Sequence, residues 1–155
     1  MKRFTTTIII VLVFVFSLSA IVGAQDFEIE AESAILIDAE TGQVLFKQNP
    51  DEKLPPASLT KIMTLIVAME EIESGDLSLD DKVTISRLAE SMGGSQLWLS
   101  TGEQLTLEDL LKSTLLPSAN DAAVAVAEYV GTTQQNFVEM MNQNVRDLGL
   151  SKTQF

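Results

Sequence analysis

The sequence predicts an α+β fold in which a β-hairpin near the N-terminus precedes a helical region. Two short apolar runs, 33–38 and 43–47, flank a turn at 39–42 and predict paired strands. The rest of the chain repeats apolar residues at three- and four-residue steps, which is typical of helices. Because a two-stranded hairpin alone is only marginally stable, we expect the complete sheet to need later strands that this chain lacks.

The first 24 residues differ from the rest and predict a secretory signal. Two cationic residues precede nine unbroken apolar residues, 8–16, and small residues follow up to Ala24. This order is typical of signal peptides, so we expect cleavage between Ala24 and Gln25. An uncleaved membrane anchor is the alternative, although the apolar stretch is about as short as a spanning helix allows. The predicted organisation is a signal peptide at 1–24 and one domain at 25–155.

Histidine and cysteine are both absent from the 155 residues. Their absence excludes a Ser-His-Asp triad, a thiol nucleophile, a disulfide and any metal site built on Cys or His. A serine nucleophile in this chain would therefore need a lysine or a carboxylate as its base. The formal net charge of −12 argues against nucleic acid as a partner, because Lys and Arg drive phosphate binding.

A polar connection at 48–57, which contains three prolines, leads from the hairpin into the first predicted helix, 58–74. Apolar residues cover nearly the whole surface of this helix, so we expect it to be central, with Gly75 as its C-terminal cap. Residues 76–105 predict short, irregular elements, with a turn at 92–95.

Three more helices are predicted after this irregular region. The sequence 106–109 is a helix-start signal, and the helix that it opens ends near Pro117. An Ala-rich helix follows at 121–130, and a last helix covers 133–148 with Gly149 as its cap.

Ser58 and Lys61 form a candidate catalytic pair at the start of the first helix. Residues three apart lie on one helix face, so the Lys61 amine can reach the Ser58 hydroxyl. Burial among apolar residues lowers a lysine pKa and frees the amine to act as a base, while the helix N-terminus favours developing negative charge. The alternative is that Ser58 only caps the helix and Lys61 snorkels to the surface.

Ser118-Ala119-Asn120 follows Pro117 in a predicted loop between two helices. A hydroxyl there could shuttle a proton, and the amide of Asn120 could bind a substrate carbonyl or hold the lysine. The alternative is that Ser118 or Asn120 caps the next helix.

The remaining candidates are weaker. Acidic residues at 26–32 and 70–73 are expected on solvated faces, and Asp80-Asp81 lacks the ligand spacing of a calcium loop. Trp98 is expected to be a packing residue, with lining of a groove as the alternative.

Four segments together resemble the serine D-alanyl-D-alanine carboxypeptidases, the low-molecular-weight penicillin-binding proteins of peptidase family S11. Residues 55–64 resemble the nucleophile segment of that family, and 33–42 resemble its opening hairpin. Residues 91–96 and 115–122 are similar to two further segments in the same order. The resemblance covers 33–155, and its combination of motifs is specific although each motif alone is not. It implies the transpeptidase/β-lactamase-like α+β fold.

The resemblance also implies an activity, the removal of the terminal D-alanine from peptidoglycan pentapeptides through an acyl-enzyme. It assigns Ser58 as the nucleophile, whose backbone N–H supplies half of the oxyanion hole, and Lys61 as the base. Ser118 would relay a proton toward the leaving amine, and Asn120 would contact the substrate amide and orient Lys61. No metal or organic cofactor is implied.

Two features of the sequence depart from the family pattern. Ala119 stands where many relatives have glycine, which is a mild change. The third family motif, Lys-Thr-Gly, binds the terminal carboxylate of the substrate and does not occur in the 155 residues. The run 152–154 is not a substitute, because its family counterpart lies well before that motif. We therefore expect the chain to be the front part of such an enzyme and to be inactive alone.

The implied partners are peptidoglycan stem peptides and β-lactam antibiotics, which would trap Ser58. The implied location is outside the cytoplasm, on the periplasmic or cell-wall side, with a role in cell-wall biogenesis and cell shape. Membrane association would need a C-terminal segment that this chain does not contain. Two alternatives remain: a class A β-lactamase-like hydrolase, which needs a deacylating glutamate that we cannot identify, and a non-catalytic remnant that binds cell-wall peptide.

Overall fold

The computed structural model describes residues 29–155, so the predicted signal peptide lies outside the described residues. The described residues divide into two compact units, one that ends at Glu52 and one that begins at Lys53. Within the described residues, the first unit contains one antiparallel sheet of two strands, and the second combines helices with another such sheet. This mixture of elements agrees with the predicted α+β class.

The first unit contains the predicted hairpin. Strand β1 spans Ala34–Ile37 and pairs antiparallel with β2, Val44–Gln48. The turn between them is closed by Asp38, whose carboxylate accepts hydrogen bonds from the backbone N–H of Thr41 at 2.8 Å and from its hydroxyl at 2.6 Å. These bonds to Thr41 lower the pKa of Asp38. Gly42 takes the left-handed φ of +71° that the turn requires.

The apolar run of β1, which by its pattern indicates a strand buried on both faces, is exposed in this unit, so burial is not what the structure shows. Ile35, Leu36 and Ile37 are each more than half exposed. Among the described residues, β1 pairs with β2 alone. A fully apolar strand is buried only where other layers cover both of its faces, and the hairpin unit by itself supplies no such layer.

The second unit is mainly helical, and the predicted helices are found within a few residues of their expected ends. Among the described residues, no helix is both long and apolar enough to cross a membrane. A small antiparallel sheet, β3 with β4, lies in the stretch that we expected to be irregular. In chain order the elements are a 3-10 helix at Ala57–Leu59, α1 at Thr60–Ser74, β3 at Lys82–Thr84, α2 at Arg87–Glu90, β4 at Gln104–Thr106, α3 at Leu107–Leu115, α4 at Asn120–Gly131 and α5 at Gln134–Asp147.

Local capping explains where three of these helices begin or end. The Thr106 hydroxyl accepts the N–H of Asp109 at 3.0 Å and opens α3. The Thr133 hydroxyl opens α5 in the same way, by accepting the N–H of Asn136 at 3.1 Å. Gly75 ends α1 in the left-handed conformation, as predicted.

Helix α4 is the central helix of this unit, whereas the sequence favoured α1. Small residues cover most of α4, so α1, α3 and α5 can all pack closely against it. By contrast, α1 buries one stripe, and Leu59, Ile62 and Met69 near it are at least half exposed. Side-chain size explains the difference, because small residues allow neighbouring helices to approach from several sides. The buried residues of α4 are Asp121, Ala122, Val124, Ala125, Val126, Ala127 and Gly131.

The buried Gly131 at the end of α4 allows a close contact with α5. A Cβ at this position would lie 2.6 Å from the backbone nitrogen of Phe137 and 2.8 Å from its Cα. We expect Gly131→Ala in the full-length protein to reduce the free energy of unfolding by about 1–3 kcal/mol, because the backbone of α5 must shift. Thermal unfolding measures the effect, and Gly93→Ala, where a Cβ meets open space, is the matched control. Equal melting temperatures for the two variants would contradict this prediction.

Candidate active site

Ser58 lies on the 3-10 turn that leads into α1, and its side chain is exposed. The N–H of Leu59 closes this turn by donating to the carbonyl of Pro56 at 3.1 Å. Ala57 has a φ of +49°, an unfavourable conformation for a residue with a Cβ. Neither the 3-10 helix nor α1 receives a side-chain cap hydrogen bond, so Ser58 is not the helix cap that the alternative required.

Lys61, in the first turn of α1, joins the other two predicted site residues. Its Nζ donates to Ser118 Oγ at 3.1 Å and to Asn120 Oδ1 at 2.6 Å. These partners are 57 and 59 positions away in sequence. Lys61 is half-buried and hydrogen-bonded, so the alternative of a snorkelling surface lysine is wrong.

The predicted direct contact between Lys61 and Ser58 is not among the hydrogen bonds that the described residues form. Ser58 lies on the 3-10 turn, and Lys61 follows in the first turn of α1. The Lys61 amine instead makes its hydrogen bonds to Ser118 and Asn120. Ser58 and Lys61 still lie one turn apart at the same end of α1.

Burial lowers the pKa of Lys61 below the ordinary lysine value of 10.5, as predicted. Desolvation is the cause, because removing water disfavours the charged ammonium. Its two partners, Ser118 and Asn120, are neutral, so neither supplies the negative charge that would raise the pKa again. The neutral amine, which can accept a proton, is therefore reached at a lower pH than for an exposed lysine.

Asn120 is the first residue of α4, one position earlier than the predicted helix start. Its Nδ2 donates to the Gly93 carbonyl at 2.7 Å, and its backbone N–H donates to the Ser95 carbonyl at 2.7 Å. The cap position of α4 is Ala119, and no side chain makes a cap hydrogen bond there. Capping by Ser118 or Asn120 is therefore wrong, and the amide of Asn120 bridges Lys61 and the loop at Gly93 instead.

Residues 117–119, directly before α4, are held by hydrogen bonds to the loop at Ser95 and to the end of α3. The Ser95 hydroxyl donates to the Pro117 carbonyl at 2.6 Å, and the N–H of Ala119 donates to the Ser113 carbonyl at 3.0 Å. Ser118 between these contacts has a left-handed φ of +57°. Such strained conformations persist where the surrounding contacts determine them, and they cluster at functional sites.

The loop at 93–95 contributes to the site in a way that its sequence did not indicate. The Gly-Gly pair indicated only a turn, but Gly94 has a φ of +83°, and a Cβ there would lie 2.9 Å from Asn120 Nδ2. Trp98, which we expected to pack, is 79% exposed and also has a positive φ, +60°. The packing prediction is wrong because the next residue, Leu99, takes the buried position on this loop.

The site thus combines an exposed hydroxyl, a partly desolvated amine, a second hydroxyl and an amide. A lysine of lowered pKa next to serine hydroxyls can serve as the base for a serine nucleophile. Within residues 29–155, no group of three or more carboxylates is arranged to hold a metal ion. A donor set of this kind can support acyl transfer by a hydroxyl group.

Comparisons with known proteins agree on one family. A family model described as D-alanyl-D-alanine carboxypeptidase, peptidase S11, matches residues 20–155. The chain is 42% identical over 161 residues to the D-alanyl-D-alanine carboxypeptidase DacF of Bacillus subtilis (strain 168), which covers all of this chain and 41% of that protein. It spans about two fifths of the length of the curated relatives that it matches first.

Solved structures give the same result. The D-alanyl-D-alanine carboxypeptidase DacD from Francisella tularensis matches with a TM-score of 0.79 at 37% identity, covering 87% of this chain and 33% of that one. Penicillin-binding protein D2 from Listeria monocytogenes, in an ampicillin-bound form, matches with a TM-score of 0.73 at 30% identity, covering 85% and 52%. These neighbours confirm the predicted fold class.

The environment of Lys61 predicts how its pKa responds to a neighbouring charge. We expect Asn120→Asp in the full-length protein to raise the pKa of Lys61, because a carboxylate would replace the neutral oxygen 2.6 Å from Nζ. Lys61 would then stay protonated to a higher pH than in the wild type. NMR titration of labelled lysine side chains measures this shift, with Asn136→Asp on the exposed first turn of α5 as the control. An unchanged Lys61 titration in Asn120→Asp would refute it.

Proposed function

Because the chain belongs to the D-alanyl-D-alanine carboxypeptidase family, peptidase S11, we propose that it forms part of a serine-type enzyme acting on peptidoglycan. The enzyme removes the terminal D-alanine of a stem peptide. The observation that carries the proposal is the contact of Lys61 Nζ with Ser118 Oγ and Asn120 Oδ1, one turn after Ser58. This arrangement supplies a nucleophile, a base, a proton relay and an amide.

The first half of the reaction is acylation of Ser58. Its Oγ attacks the carbonyl carbon of the D-Ala–D-Ala bond while the neutral amine of Lys61 takes the hydroxyl proton. The lowered pKa of Lys61 supports this role, since more of the amine is neutral near neutral pH. The C–N bond then breaks, and the proton passes from Lys61 through the Ser118 hydroxyl to the leaving nitrogen of D-alanine. The product is an ester of Ser58.

The substrate and the tetrahedral intermediate are held by amide groups. Asn120 Nδ2 carries two protons, of which one is donated to the Gly93 carbonyl. The other is free to donate to a carbonyl of the substrate peptide. The backbone N–H of Ser58, at the start of α1, forms half of the oxyanion hole, where the positive end of the helix dipole favours negative charge.

The second half of the reaction is hydrolysis. A water molecule attacks the ester carbonyl and gives up a proton to Lys61 or to its relay partner Ser118. The bond between the ester carbon and Ser58 Oγ breaks, and the proton returns to Oγ. The shortened peptide leaves, and the free enzyme is restored.

β-Lactams are the second class of molecule that we propose for this site. The ampicillin-bound relative from Listeria monocytogenes supports this proposal. A β-lactam carbonyl takes the position of the D-Ala–D-Ala carbonyl, and its ring opening acylates Ser58. A long-lived adduct separates this mechanism from that of a β-lactamase, which would release the opened drug rapidly.

Labelling with a fluorescent penicillin tests the proposed nucleophile. We expect the full-length protein to be labelled and Ser58→Ala to lose all labelling, because the other hydroxyl beside Lys61, that of Ser118, is assigned as the proton relay and not as the nucleophile. Ser74→Ala, at the exposed opposite end of the same helix, is the matched control and should label normally. Labelling that survives Ser58→Ala would eliminate Ser58 as the nucleophile. A bound drug that is released within seconds would favour the β-lactamase alternative.

We propose also that the protein is exported and trimmed after Ala24. The order of cationic, apolar and small residues in 1–24 supports this proposal. Export would place the enzyme on the side of the membrane where peptidoglycan is built, with a role in cell-wall biogenesis and cell shape.

Sequencing the N-terminus of the protein from the cell envelope tests the export proposal. We expect the first residue to be Gln25. Ala24→Arg should block cleavage, because the residue directly before the cut must be small. Gly23→Leu should leave cleavage intact, because the signal depends on Val22 and Ala24, the third and first residues before the cut, and not on the residue between them. A mature protein that still begins at Met1 would show that the segment is retained.

A further inference from the structure

Asp121, the second residue of α4, is a buried carboxylate that the proposed mechanism does not use. Its side chain is 1% exposed. Its oxygens accept the backbone N–H of Leu97 at 3.0 and 3.1 Å, of Leu99 at 3.2 Å and of Ala122 at 2.9 Å. Two of these three donors belong to the loop 93–99, so the carboxylate ties that loop to the start of α4.

The same loop holds the proposed site at its other end. The Gly93 carbonyl accepts from Asn120 Nδ2, and the Ser95 carbonyl accepts from the Asn120 backbone N–H. The Ser95 hydroxyl donates to the carbonyl of Pro117, directly before Ser118. Movement of the loop would therefore displace the two groups that contact Lys61.

We propose that Asp121 is a positioning residue for acyl transfer, acting through the loop 93–99. By holding the N–H groups of Leu97 and Leu99, it fixes the Gly93 carbonyl that orients the amide of Asn120. The oriented amide keeps its Oδ1 on Lys61 Nζ. This inference rests on the proposed function, and it adds a residue that contacts neither substrate nor nucleophile.

A carboxylate suits this position better than an amide. An ionised aspartate only accepts hydrogen bonds, so both of its oxygens can face backbone N–H groups. An asparagine would replace one of these oxygens by an NH₂ group, which donates hydrogen bonds and cannot accept them from backbone N–H groups. At least one of the hydrogen bonds would therefore be lost. The bonds to Leu97 and Leu99 also flank Trp98 and hold its backbone at a left-handed φ of +60°.

Gly94 offers a second, independent way to test the connection between the loop 93–99 and the Asn120 amide. Its φ is +83°, and a Cβ there would lie 2.9 Å from Asn120 Nδ2. Gly94→Ala therefore displaces the Asn120 amide without touching Asp121. Gly102 has a similar φ of +86° and open space around it, so Gly102→Ala matches the backbone strain without the clash.

The test separates penicillin binding from the acylation step in the full-length protein. For Asp121→Asn we expect the acylation rate constant to fall about tenfold or more, with the Kd for the non-covalent complex within about twofold of wild type. Asp109→Asn is the matched control, because Asp109 stands in the first turn of α3 and contacts Thr106 rather than the loop. It should acylate at the wild-type rate.

Gly94→Ala keeps the inference testable if Asp121→Asn does not fold. It should lower the acylation rate constant in the same way, while Gly102→Ala should not. A folded Asp121→Asn or Gly94→Ala protein with the wild-type acylation rate constant would overturn the positioning role. A wild-type protein that penicillin does not label would instead overturn the proposed function, and this inference with it.

Discussion

The half-buried amine of Lys61 connects the parts of the second unit that form the site. It belongs to the first turn of α1, yet its hydrogen bonds go to Ser118 and Asn120, at the start of α4. Burying an ammonium group is costly unless its hydrogen bonds are replaced. The two oxygens offset that cost while burial still lowers the pKa. The packing of α1 against α4 thus favours the neutral amine, which can accept a proton, and holds it in place.

Backbone strain surrounds this interaction. Ala57, Ser118 and Trp98 all have positive φ, although none is a glycine. Left-handed backbone costs such residues about 1–2 kcal/mol each, so the surrounding packing must compensate. The Ala-rich helix α4 gives the second unit a closely packed centre, because its small side chains let α1, α3 and α5 approach closely. A dense, rigid support of this kind favours a site whose groups must keep fixed distances.

The electrostatics of the site differ from those of the whole chain. The chain carries a formal net charge of −12, yet the groups that contact Lys61 are neutral. A carboxylate at this position would keep the lysine protonated and unable to accept a proton. Asp121 lies next to Asn120 in sequence, but its oxygens are used by backbone N–H groups. The carboxylate can therefore shape the site without directly pairing with the lysine.

The sequence by itself determined the local structure and the identity of the candidate residues. Thr106, Thr133 and Gly75 set helix ends through hydrogen bonds or backbone conformations that span only a few residues. The absence of histidine and cysteine likewise left lysine or a carboxylate as the base for a serine nucleophile.

Only the tertiary structure decided which groups meet. It gave Lys61 two partners far along the chain and brought the Gly93 carbonyl to Asn120. It also placed α4 rather than α1 at the centre, because small side chains decide how closely helices pack. Contacts between residues so far apart in the sequence depend on how the whole unit packs. Periodicity and capping signals, which act over one or two turns, cannot specify them.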